Sequence, residues 1–193
     1  MAPTPRQGSR KSRAVRPKQR TGRPVARFIV RFLLAMIALE ALWLVPPVRL
    51  HAFPAYLQVS ARASAALLRA MGEPAEAAGT RVFSPRFAIE VRRGCDAIEP
   101  SVLFVAGLLA FPVSWRAKWP AALVGPAILA VLNLVRIVSL FLIGAYRPDL
   151  FDATHVEVWQ IAFVFLTMLL WLAWLRWATR RTLELSHAQA THA

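Results

Sequence analysis

The sequence predicts an all-α membrane protein: a bundle of about four transmembrane helices, with an extracytoplasmic amphipathic helix and a short β-hairpin between the first two. Three observations predict it. Hydrophobic residues make up 57% of the 193 residues and mean hydropathy is +0.46, whereas a soluble domain lies nearer half apolar. The apolar residues fall in blocks, at about 28–45, 98–113, 121–145 and 156–177, each close to the ~20 residues that a span requires. Basic residues gather at alternate block ends, as the positive-inside rule demands of oriented spans. The length suits a single domain.

The chain opens on a basic segment. Residues 1–27 hold nine Lys or Arg and no acid, and the stretch to Pro24 is too poor in apolar residues to fold alone. It reads as a disordered cytoplasmic tail that binds anionic lipid. The net charge of +14 is concentrated there, beside a span and without a base-reading module, so nucleic acid is not the expected partner. Phe28 to Val45 follows, closed by Pro46-Pro47. The long basic region and the lack of a small-x-small cleavage site favour a retained first span over a signal peptide. Arg31 and Glu40 lie near its ends, where they can snorkel or pair.

Tyr56, Val59, Ala63, Ala66 or Leu67, and Ala70 recur at helical spacing. Residues 55–71 therefore read as an amphipathic helix on the membrane surface, an extra span being the alternative that Arg62 and Arg69 oppose. Phe87, Ile89 and Val91 then alternate with Ala88, Glu90 and Arg92 behind a Ser84-Pro85 turn, predicting a hairpin within 80–91. After the second span, Trp115 to Trp119 reads as a turn, with Pro120 opening the third helix. A loop over 146–154 leads to the fourth span, and residues 179–193 form a second cytoplasmic tail. The basic residues of both tails and of the Arg116/Lys118 turn share one side. The 146–154 loop, with Arg147, Asp149 and Asp152, belongs outside. The segment 48–93 is placed outside despite seven Arg, because the tail dominates. Tryptophans 43, 115, 119, 171, 174 and 177 mark span ends as an aromatic belt.

With this topology three polar residues reach the outer membrane face. Cys95, the only cysteine, opens span two. His155 opens span four. Arg136 lies nine residues below the outer end of span three, about 13 Å of helix, part of which a long side chain spans. A lone Cys cannot form an internal disulfide; facing the oxidising side, it is either buried and inert or a kept thiol. Asp96 and Glu99 have the spacing of a helix start, with Cys95 just ahead of the dipole's positive end; the dipole, Arg92 and Arg93 favour thiolate, while the two carboxylates oppose it. An arginine inside a span costs roughly 2.5–3.5 kcal/mol. It serves either as an interhelical clamp, with Asn133 one turn away, or as a binder of a carbonyl or oxyanion. Thr154 and Glu157 suggest a capping box around His155, whose first-turn dipole favours neutral imidazole. His51, His187 and His192 read as interface residues.

A thiol, an imidazole and a guanidinium at one depth suit acyl transfer: thiolate attack, thioester, then release to an amine or water. One Cys and one His are too few for a closed metal site. No Gly-rich phosphate loop or G-x-S-x-G elbow is present, and the reading calls for no cofactor. The competing reading is a non-enzymatic membrane scaffold or transporter subunit, with Arg136 in packing or an ion path.

Gly94-Cys95-Asp96-Ala97-Ile98, Asn133-Leu134-Val135-Arg136-Ile137 and His155 before a final span resemble the exosortase/archaeosortase family. The segments CDAIEPSVLF, VLNLVRIVSLFLIGAY and HVEVWQ look most like its small exosortase H branch. The similarity covers about 82–165 and makes 28–178 an exosortase-like transmembrane domain. It implies a thiol peptidase or transpeptidase at the outer, periplasmic face of the bacterial inner membrane. It implies Cys95, Arg136 and His155 as the catalytic set; Asn133, Asp96 and Glu99 are read here as substrate-binding or supporting residues. It also implies partners: the C-terminal sorting-signal helix of exported proteins, membrane lipid, and an acceptor of unknown nature. Asp96-Ala97 departs from the Ser-Gly that many members carry after the Cys.

Overall fold

A computed structural model describes residues 22–191. The basic tail expected over 1–27 lies outside the described residues except for its end, which is already helical: α1 is Gly22–Ala41. A short 3-10 turn, Leu42–Leu44, precedes Pro46-Pro47. There the chain bends by 74° before a turn of π-helix, Val48–Ala52, and α2, Phe53–Ala70. Three three-residue strands follow, β1 (Glu76–Ala78), β2 (Arg81–Phe83) and β3 (Ala88–Glu90). They pair antiparallel in the order β1-β2-β3, with Ala77 opposite Val82 and Val82 opposite Ile89. The expected hairpin is β2–β3. The strand β1 was not expected, since three residues are too few for an alternating pattern.

α3 spans Ile98–Ala110 and α4 Trp115–Tyr146. The expected turn over 115–119 is the first part of α4, and Pro120 and Pro126 lie inside it. Both lie beyond the first turn, so each removes one backbone hydrogen bond from α4. The helix starts upstream because Lys118 turns inward and donates to the Leu109 carbonyl at 2.8 Å, tying the new helix to the end of α3.

The expected loop over 146–154 is helical almost throughout. A 3-10 turn (Pro148–Leu150), a single α turn (α5, Phe151–Ala153) and a π turn (Thr154–Val158) lead into α6, Trp159–Thr191. Nothing after Pro148 breaks a helix, so the chain resumes one at once. α6 carries on through residues 179–191 of the expected second tail.

By length and composition two stretches can cross a membrane, Trp115–Tyr146 and Pro148–Arg181. A third counts if α1 and α2 are one bent span. The four-span count is not reached by length alone: α3, with 13 residues, extends only about 20 Å against a hydrocarbon core of ~30 Å. Pro112 stops it early.

α2 packs by its small face and leaves part of its apolar stripe outward. Leu57, Ser60, Ala61, Ser64, Ala65 and Leu68 are buried, whereas Val59 and Leu67 are exposed at 63% and 45%. Small residues allow the close approach of α2 to α4 and to the strands, as they do between membrane helices. That contact makes the first core, with Val82, Val91, Ile137 and Phe141. The second core joins α3, α4 and α6 through Phe104, Leu108, Leu129, Phe163 and Trp174. Gly125 permits it: a Cβ there would lie 2.1 Å from the Phe104 ring. The segment from Val91 to Ala97 runs from the first core to the second and carries the cysteine between them.

Candidate active site

The loop before α3 is built to hold one conformation. Gly94 takes φ +88°, which glycine adopts freely, and Ala97 takes φ +60°, which costs an L residue about 1 kcal/mol or more. Three contacts hold it there. The Tyr56 hydroxyl donates to the Asp96 carbonyl. The Ile98 N–H donates to Asp96 Oδ1 at 2.9 Å. Asn133 Nδ2 donates to the Cys95 carbonyl at 3.1 Å. Backbone strain of this kind collects at functional sites, where surrounding structure over-determines it.

α4 brings up the second component. Arg136 is only 4% exposed. Its Nη1 donates to the Gly94 carbonyl at 3.4 Å and its Nη2 approaches Cys95 Sγ at 3.9 Å. The guanidinium also lies 5.5 Å from the centre of the Phe163 ring. Asn133 Oδ1 and Arg136 Nε make no hydrogen bond among the described residues.

The third component arrives on the π turn before α6. His155 Nε2 is 3.0 Å from Cys95 Sγ. A π turn swings a side chain away from where an α turn would put it, a device common at functional sites. The imidazole stacks on Phe151 at 5.6 Å and 28°; Phe151 meets Phe87 at 5.4 Å, and Phe87 meets Phe141 at 5.7 Å. Behind them is Gly144, where a Cβ would lie 2.2 Å from the Phe87 ring. This column of rings sets the height and tilt of the histidine. Gly144→Val is therefore expected to push Phe87 against Phe151, shift His155 and slow any Cys95-dependent turnover about tenfold, since ångström misplacements carry costs of this order or more. Turnover set against the amount of folded protein checks it.

The expected trio thus converges, with Asn133 beside it. Asp96 is fully buried and supports the loop through its side chain and its carbonyl. Glu99 touches neither Cys95 nor His155 but lines the cavity beside them; it pairs with Arg93 at 3.5 Å, and this pair is exposed, so it adds little. Neither expected capping box forms. Ala97, in the left-handed region, occupies the N-cap of α3, so Asp96 caps Ile98 by a tight local turn and Glu99 has no reciprocal bond. Thr154 follows residues that are already helical, and no orphan N–H is left for it to cap. The contributions of Tyr56 and of the Phe87–Phe151 column were not read from the sequence. Gly94, immediately before the cysteine, was the visible sign that this backbone is special.

Burial also signs the charge on the sulfur. It pushes the Cys95 thiol above its ordinary range; Arg136 opposes this, and Asp96 and Glu99 add to it. Asp96 itself is raised to about 6, chiefly by burial, with the Ile98 N–H opposing. The resting sulfur at neutral pH is thus a thiol hydrogen-bonded to a base. Two outcomes follow. Maleimide modification of Cys95 accelerates about tenfold per pH unit and continues to rise beyond pH 9, where an ordinary thiol levels off. Asp96→Asn removes a negative neighbour, lowers the thiol pKa and moves that profile to lower pH. A profile that levels off below pH 8 contradicts this electrostatic account.

A cavity of about 460 Å³ opens beside the cluster between α1, α3 and α6. Gly94, Ala97 and Arg136 form its inner wall; Met36, Glu99, Leu103, Gln160 and Val164 are among the others that line it. It is mostly apolar, with both the Arg136 cation and the Glu99 carboxylate in its lining.

Residues 20–173 match the family model described as transmembrane exosortase (EpsH). The chain belongs to the transmembrane exosortase family. It is accordingly a membrane protein, and the match takes in the first core, most of the second and all three residues of the cluster. No curated protein sequence matches the chain, and no solved structure does.

Proposed function

We propose that this exosortase is a membrane-embedded cysteine transpeptidase or peptidase. It cuts the C-terminal sorting signals of exported proteins at the outer face of the inner membrane, through a thioester on Cys95. The observation that carries the reading is the 3.0 Å contact between Cys95 Sγ and His155 Nε2, with Arg136 3.9 Å from the same sulfur.

The chemistry follows from these positions. His155 takes the thiol proton as Sγ attacks the scissile carbonyl carbon, forming a C–S bond and a tetrahedral oxyanion. The Arg136 guanidinium, fixed and largely dry, stabilises that charge. As the oxyanion collapses the C–N bond breaks, and the departing amine takes the proton held on His155. The thioester carbonyl is then attacked by water or an acceptor amine, which passes its proton to His155; the C–S bond breaks, and the leaving sulfur takes that proton to restore the Cys95 thiol. Asn133 keeps the Cys95 carbonyl, and so the nucleophile, in register with Arg136. The cavity beside Arg136 receives the residues flanking the scissile bond, and the signal's apolar helix lies in lipid along α1, α3 and α6.

In this reading α3 completes a four-helix arrangement despite its length, because the Cys95 loop sits below the membrane surface and leaves it less to cross. The cytoplasmic ends are those with basic clusters.

The test is a reporter ending in a sorting motif, an apolar run and arginines, taken from the same genome. Its mass falls when the full chain is present in the membrane, and prior treatment of the membranes with maleimide prevents the fall. Processing that survives complete modification of Cys95 rejects the mechanism and favours the scaffold reading.

A further inference from the structure

A second built feature lies at the far end of α6. A groove of about 310 Å³ runs between α3, α4 and α6, lined by Phe104, Ala121, Val124, Leu170, Ala173 and Trp177 among other apolar side chains. The indole of Trp174 forms part of its wall and donates to the Ala117 carbonyl at 3.1 Å, which fixes that wall and satisfies its polar group. Ala173 and Trp177 also border a second hollow, whose remaining described residues are Arg176, Arg180 and Arg181. Positions 173, 176, 177, 180 and 181 share one side of the helix. The Arg181 guanidinium lies 4.8 Å from the centre of the Trp177 ring. All three arginines are exposed, and no acid is among the described residues lining either hollow.

The cluster lies at the other membrane surface from the cysteine. From His155 to Arg176 is twenty-one residues of helix, about 30 Å, the thickness of a hydrocarbon core. An apolar slot that opens at its end onto three guanidinium groups at the headgroup level asks for a ligand with an acyl chain and an anion. A free phosphate would use the arginines and leave the slot unfilled. A zwitterionic lipid would fill the slot and bring a choline cation to the arginines.

We propose that this groove binds one anionic phospholipid, with an acyl chain between α4 and α6 and the phosphodiester held by Arg176, Arg180 and Arg181. Guanidinium forks suit phosphate oxygens, and basic pockets between spans on the cytoplasmic side hold acidic headgroups. The assignment rests on the membrane-spanning α6 and not on the chemistry proposed at Cys95, so either can fail alone.

Full-length protein in nanodiscs of phosphatidylcholine, titrated with phosphatidylglycerol of matched chains, tests it by native mass spectrometry. The basic tail is kept in every variant, so its own attraction for acidic lipid cancels. The wild type is expected to retain one phosphatidylglycerol in preference to phosphatidylcholine. Arg176→Gln/Arg180→Gln/Arg181→Gln should weaken that retention about a hundredfold, at about fivefold per arginine. The triple Arg→Lys variant should keep most of it, which separates lost charge from lost fold. Ala121→Trp/Ala173→Trp, which fills the slot and leaves the arginines, should weaken retention at least tenfold. Unchanged preference in the Gln variant overturns the proposal. So does equal retention by the slot-filled variant, or displacement of the lipid by millimolar inorganic phosphate, since either reduces the site to a surface anion patch.

Discussion

Cys95→Ser is expected to reduce reporter cleavage at least about 10⁴-fold, the scale on which removal of one member of a nucleophile–base pair is felt. The serine hydroxyl holds its proton far more tightly than a thiol, and burial that already disfavours the Cys95 thiolate disfavours an alkoxide more. His155→Gln should cost nearly as much. Glutamine can still contact the sulfur, so the loop and the ring column survive, but an amide accepts no proton at neutral pH. The decisive measurement is the double variant. Two groups that act as one unit lose their joint contribution once, so Cys95→Ser/His155→Gln should be no slower than Cys95→Ser alone. Multiplicative losses would mean that the 3.0 Å contact is incidental and that each residue acts on the chain for a separate reason. Neither substitution creates a cavity larger than an atom or two, so the variants should insert and fold as the wild type does.

Much of this site could be read before any coordinates, and the reason is the membrane. Lipid makes polar side chains inside apolar blocks expensive, so Arg136 and Asn133 stand out of their run as functional or paired residues. Alternating sidedness then fixes which block ends share a face, and this brings Cys95 and His155 to Arg136. What lipid hides is which side of a helix packs. In water the larger apolar stripe of α2 would turn inward. In a bilayer that stripe can face lipid, and the small face, Ser60, Ala61, Ser64 and Ala65, packs instead. Periodicity cannot distinguish the two. Short elements were equally opaque: β1 is held by its pairing with β2, a contact no local pattern records. The π turn around His155 exists because the chain stays helical from Pro148 onward, while Asp149, Asp152 and Thr154 look like loop chemistry. The span count was not legible at α3, because apolar content registers length in residues and not the depth at which a helix begins.

Arg136→Lys carries the other large expected effect, a loss of about 10²–10³-fold in cleavage, as for removal of one oxyanion donor. Lysine keeps a positive charge but not the fork. Arg136 uses one nitrogen on the Gly94 carbonyl and another toward Cys95 Sγ, and a single ammonium cannot hold both directions. The result decides between the two roles open to a buried arginine. If Arg136 is only an interhelical clamp, the lysine variant should show lower thermal stability and less folded protein, while turnover per folded molecule persists. If it binds the oxyanion, stability should change little, kcat should fall with KM nearly constant, and the loss should be the same for any signal sequence. Arg136→Ala adds a second reading from the same position. The arginine's positive charge is what opposes burial at the sulfur, so without it the Cys95 thiol pKa rises further and maleimide modification at pH 8 should slow, whereas the lysine variant should keep part of the wild-type rate. A guanidinium that mattered only for packing would leave that chemistry to burial alone, and modification at pH 8 would run at the same rate in all three proteins.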